Sequence, residues 1–202
     1  AMFQELHSCP ATITASRAAD FYGMLEGHVI QQGDVNMACT QAPYKGTATF
    51  IRLPRDRWPQ EWIDKNMYDP VCPMELALYG HPDSGGHWEA HCEIIVRVAG
   101  FRPVSKENWR SVFWHQELKM MLVVYVDDFK MSGPSKHKKR LWKEIRGDPE
   151  HPDRGGIYMG DPESQKRFLG CDHILTKVKD ADGNIINRME YNMEGFFRKC
   201  LD

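Results

Sequence analysis

At 202 residues, 42% of them hydrophobic, the chain holds enough apolar material for one sizeable core. Lys+Arg 26 against Asp+Glu 28 leaves a net charge of −2, which argues against strong, undifferentiated duplex binding. Six scattered cysteines form no C-x-x-C pair, which speaks against a zinc ribbon. With no secretory signal, the expectation is free thiols and an intracellular address, cytoplasmic or nuclear. The longest apolar runs are far too short to cross a membrane.

Taken in order, Thr14 to Glu26 carries small and apolar residues at helical spacing, with Thr14 or Ser16 as cap and Gly27 as stop. His28 to Val35 reads as a strand ending near an acid. Thr47 to Leu53 is a second strand candidate. Residues 54–73 hold four prolines and three aromatics, the mark of irregular connecting structure. His87 to Ala99 reads as a helix closed by Gly100. Ser111–His115 and Lys119–Val126 form a hairpin. Ser135–Arg146 is a basic helix, and residues 147–156 are loop. Phe168–Lys179 and Ile185–Tyr191 pair across Asp182-Gly183-Asn184. A last helix begins near Met193. This order predicts an α+β fold, an antiparallel sheet with helices packed on one face, in a single domain over residues 1–202.

Chemistry concentrates at Tyr125-Val126-Asp127-Asp128, where two adjacent carboxylates follow the apolar run Met120-Met121-Leu122-Val123-Val124 and precede Phe129. Alternation sends neighbouring strand side chains to opposite faces, so both acids reach a common site only through a tight turn. Asp34, at the end of the first strand in Gly33-Asp34-Val35, supplies a third acid. Three carboxylates around two Mg²⁺ (or Mn²⁺) ions suit phosphoryl transfer. One ion activates a 3′-hydroxyl, and the other holds the triphosphate and the leaving pyrophosphate.

Four segments together resemble the reverse transcriptase domain of copia-type LTR retrotransposon polyproteins. Asp34-Val35-Asn36-Met37-Ala38 is similar to the motif D-V-x-x-A-[FY]-L. Ala77-Leu78-Tyr79-Gly80, followed by Trp88, looks like the A-L-Y-G block. Tyr125-Val126-Asp127-Asp128 matches Y-V-D-D, and Phe168-Leu169-Gly170 resembles the F-L-G strand. The resemblance implies a right-hand polymerase palm, RNA-directed DNA synthesis, and metals on Asp34, Asp127 and Asp128. It puts Val35, Cys39, Tyr79, Gly80, Asp83 and Tyr125 near nucleotide and template. It also implies template-primer and nucleoside triphosphates as partners, along with other segments of the polyprotein, with most of the fingers and the thumb lying outside this chain. The basic helix offers Lys136, Lys138, Lys139 and Arg140 to a nucleic-acid backbone; a solvated basic face is the plainer alternative.

Departures from the family pattern bear on activity. Cys39 stands where the family has an aromatic ring under the sugar. Asp83 replaces a Gln and Gly86 an Arg. These favour the alternative of a decayed or repurposed palm that binds or assembles without catalysis. Two lesser readings concern zinc at His87, His91 and Cys92, where no fourth ligand is evident, and a nucleophilic Cys39, where no Cys–His–Asn pattern supports it.

Overall fold

The computed structural model describes residues 11–105, 107–109, 111–147 and 155–201; much of the loop expected over 147–156 lies outside them. The fold is α+β, built on an antiparallel sheet with helices. The chain divides into two compact units, residues 37–91 of the described chain and the remainder.

The larger unit begins with α1 (Ile13–Gly23). Its N-cap is Thr12, whose Oγ1 accepts a hydrogen bond from the Ala15 amide at 3.3 Å, rather than Thr14 or Ser16. The helix stops at Gly23, before the expected Glu26. A Cβ on Gly23 would stand 2.2 Å from Ile30 Cγ1, so only glycine lets the helix end close on the strand that follows.

That strand, β1 (His28–Asp34), pairs with β7 (Asp128–Pro134), which pairs with β6 (Met120–Tyr125). Beyond β6 lie β5 (Val112–His115) and β4 (Arg102–Pro103). On the far side of β1 is the short β8 (Glu163–Ser164), giving the order β4-β5-β6-β7-β1-β8. The β5–β6 hairpin matches the expectation. The strand character of β7 was not visible, because Lys130, Ser132, Gly133 and Pro134 interrupt its apolar pattern.

Helices cover both faces of this sheet, not one. On the face of Lys130, α1 packs its Ala15 and Ala19 with Met121, Val123 and Val112. On the face of Gly33 lies α4 (Lys138–Arg146), whose Trp142 ring would meet a Gly33 Cβ at 3.2 Å. The physical reason is that β6 is buried at five successive residues, Met120–Val124. A strand apolar on both sides needs two covers. Leu141, Trp142 and Ile145 form the buried stripe of α4 at helical spacing.

A second, three-stranded sheet joins β9 (Arg167–Phe168), β10 (Cys171–Lys179) and β11 (Ile185–Asn192), with the β10–β11 hairpin closing around Asp182-Gly183 as expected. The last helix, α5, runs Glu194–Leu201.

The smaller unit pairs β2 (Phe50–Ile51) with β3 (Cys72–Pro73). The expected strand over 47–53 shrinks to these two paired residues, since Pro54 and Pro73 lack the amide that would extend the ladder. Within the connecting segment is a short helix, α2 (Gln60–Asp64). The helix α3 (Ser84–Val98) begins three residues before the expected His87. Ser84 Oγ fixes its start, donating to Leu78 O at 2.6 Å and accepting from Leu78 N at 2.9 Å. Among the described residues no helix is long and apolar enough to cross a membrane, and five cysteines are free thiols.

Candidate active site

Asp34 ends β1 directly opposite Asp128, the first residue of β7. Facing residues of an antiparallel pair share one face, so these two carboxylates project to the same side of the sheet. Asp127 enters through the turn: Tyr125 pairs with Asp128, leaving Val126 and Asp127 as a two-residue hairpin tip. The tip is pinned to the end of β1 by the Val35 amide, which donates to Asp127 O at 2.8 Å. Val35 itself is buried and bridges Met159. Val126 sits at φ +53°, a left-handed conformation that a β-branched side chain adopts only under strain.

The charge of Asp127 acts on both Asp34 and Asp128. Burial pushes the Asp128 carboxyl up to about 6, the negative charges of Asp127 and Asp34 add to the rise, and Lys130 partly opposes it. Asp34 is also raised, first by burial and then by Asp127. Carboxylate oxygens are the hard donors that Mg²⁺ and Mn²⁺ take, so the donor chemistry fits a divalent cation. Among the described residues, no group of three or more His, Cys, Asp or Glu side chains stands arranged to hold a metal ion.

The remaining expected residues fall in different places. Tyr125 closes the hairpin beneath the acids, half-buried against the α1 core. Cys39, Tyr79, Gly80 and Asp83 belong to the smaller unit, whereas the acids belong to the larger. Cys39 is buried in a 3-10 turn, Ala38–Gln41. Tyr79 is half-exposed, Gly80 occupies a turn at φ +90°, and Asp83 sits immediately before α3 with its carbonyl accepting from the His87 amide. His87 packs edge-on against Tyr44 at 4.9 Å, and His91 lies against Trp88, so the two histidines serve aromatic packing. Of the basic residues, Lys136 lies in the 3-10 turn before α4, while Lys138, Lys139 and Arg140 lie on α4 itself. Arg140 is occupied by Glu144, at 2.7 Å.

One cluster escaped the sequence reading. Lys130, at the centre of β7, is completely buried. Its Nζ donates to Asp20 Oδ1 and to Ser16 Oγ, both at 2.7 Å on α1, and lies 4.4 Å over the Phe168 ring. Asp20 Oδ2 accepts from Tyr191 Oη at 3.1 Å and stands 2.9 Å from His173 Nδ1, which therefore carries its proton. Burial alone would raise the Asp20 carboxyl. The His173 hydrogen bond and the Lys130 charge outweigh it, leaving Asp20 below the usual range. Burial pushes Lys130 down to about 8 against the pull of Asp20. The available signals were Ser16 and Asp20 at i,i+4 beside alanines, and one lysine between Phe129 and Met131.

Comparison of the chain with protein-family models, curated proteins and solved structures finds no match.

Proposed function

We propose that the larger unit is the palm of an RNA-directed DNA polymerase of the copia-like kind, working by two-metal nucleotidyl transfer. The observation that carries this reading is the convergence of Asp34 and Asp128 in register with Asp127 at the adjoining tip, whose charge adds to the raised proton affinity of both. Repulsion of that kind is relieved by cations. Bound Mg²⁺ or Mn²⁺ would neutralise the acids and activate a primer hydroxyl towards a nucleoside triphosphate. The chain's own contribution is positional: β1 presents Asp34, the strained Val126 turn presents Asp127, and the Val35 amide locks the two together.

A second reading, a palm retained for binding or assembly without catalysis, is favoured by two observations. Cys39 occupies the place of the family's sugar-stacking ring. No three-acid ligand group is arranged among the described residues.

The test is extension of a DNA primer annealed to an RNA template, with Mg²⁺ or Mn²⁺. The polymerase reading expects synthesis that Asp127→Asn lowers at least about a hundredfold, the scale on which loss of electrostatic stabilisation acts. Calorimetry with Mn²⁺ adds a readout independent of turnover: binding by the wild type that Asp34→Ala weakens. A folded protein that neither extends primers nor binds Mn²⁺ leaves the non-catalytic reading standing.

A further inference from the structure

On the sheet face opposite Asp34 and Asp128, α4 builds a concavity of about 530 Å³. It is lined by Lys138, Lys139, Lys143 and Arg146, with Gln31 and Trp142 joined across it by the bond from Trp142 Nε1 to Gln31 Oε1 at 3.2 Å. Its one acid, Asp161, is taken by Arg146 at 2.6 Å. Among the described residues no carboxylate pairs with Lys138, Lys139 or Lys143. The other arginine of the helix, Arg140, is neutralised by Glu144, so among the described residues the unpaired positive charge of α4 lies on these three lysines. Lys139 and Lys143, like charges at i,i+4 on one helix, repel, and an anion relieves that repulsion.

We propose that this concavity is a phosphate cradle for a single nucleic-acid strand, separate from the acid corner and independent of metal. Lys138 to Lys143 spans about 7.5 Å of helix axis, from a rise of about 1.5 Å per residue. Successive phosphates of one strand stand farther apart than the duplex axial rise of about 3.4 Å, so this length meets about two, and the long lysine stems reach a third. Lysine heads on flexible stems suit phosphates read without regard to sequence. The cradle faces away from Asp34 and Asp128 by strand alternation, so a strand bound there avoids the carboxylates' negative field.

The probe is a fluorescein-labelled single-stranded oligonucleotide, titrated by anisotropy in EDTA at several NaCl concentrations. Three lysines predict a log–log salt slope near −2, from about 0.7 per phosphate neutralised on a single strand. Lys139→Gln with Lys143→Gln, both exposed, is expected to flatten that slope by about 1.4. Lys177→Gln with Lys179→Gln, an equal charge change on β10, is expected to leave it as it is. Far-ultraviolet circular dichroism checks that each variant is folded. Binding whose slope the Lys139/Lys143 pair does not change overturns the cradle, as does an equal effect of the Lys177/Lys179 pair. Absence of binding by the wild type at 20 mM NaCl overturns it too. Inorganic tripolyphosphate that binds where the oligonucleotide does not overturns the strand as ligand.

Discussion

Asp128 is the residue at which charge and stability are most openly opposed. Its carboxyl is raised from 3.8 to about 6, so the folded chain holds that proton more tightly than the unfolded chain does. Between those two values, stability falls as pH rises, and above about 6 the full cost persists. Solvent screening of a half-buried group holds that cost to about 1–2 kcal/mol. Asp128→Asn is therefore expected to stabilise the protein by that amount at pH 7.5 and to have almost no effect at about pH 3, below both values. Urea denaturation at the two pH values checks it; equal effects at both would place the change in packing, not in charge. The acids themselves were legible in the sequence, because Asp127 and Asp128 follow an apolar run and Asp34 ends a strand candidate. Lys130 was not: a lone lysine in a strand reads as a solvent-facing position, and only its distant partners on α1 and β10 make it internal.

At the scale of elements, the β6–β7 hairpin has the tightest local logic. Its tip holds a β-branched valine at φ +53°, where L residues other than Asn and Asp cost about 1–2 kcal/mol. Val126→Asn is expected to stabilise by about 0.5–1 kcal/mol, part of the relief being lost with the half-buried valine's apolar contact. Thermal denaturation followed by circular dichroism measures it, and a lower melting temperature would show that the valine's packing outweighs its strain. Elements with a clean period were legible: β1, the β5–β6 hairpin and the β10–β11 hairpin with its Asp182-Gly183 turn. Elements set by tertiary contacts were not. The early stop of α1 at Gly23 answers to Ile30, and the start of α3 at Ser84 answers to the Leu78 backbone. The two-sided covering of the sheet was written in the unbroken burial of Met120–Val124, but a five-residue apolar run does not by itself distinguish one cover from two.

At the scale of the larger unit, the Lys130–Asp20 pair joins parts of the chain that local pattern cannot connect. Residues 16 and 20 on α1, 130 on β7, and 173 and 191 on the second sheet meet through one ammonium and one carboxylate. Breaking such a pair strands a buried charge, which costs about 3–5 kcal/mol, whereas replacing both partners by apolar groups of similar volume is often neutral or better. Lys130→Met alone is thus expected to destabilise by about 3–5 kcal/mol. Lys130→Met with Asp20→Leu is expected to recover most of that loss, although His173 and Tyr191 then lose an acceptor and keep about 1–2 kcal/mol of it. Urea denaturation of the wild type, the single variants Lys130→Met and Asp20→Leu, and the double variant gives the coupling energy. Amide exchange then locates the loss: in Lys130→Met, protection should fall in β10 and β11 before it falls in β5 and β6, whose ladders are independent of Asp20. Uniform loss of protection across both sheets would mean that the pair supports α1 alone and does not tether the hairpin.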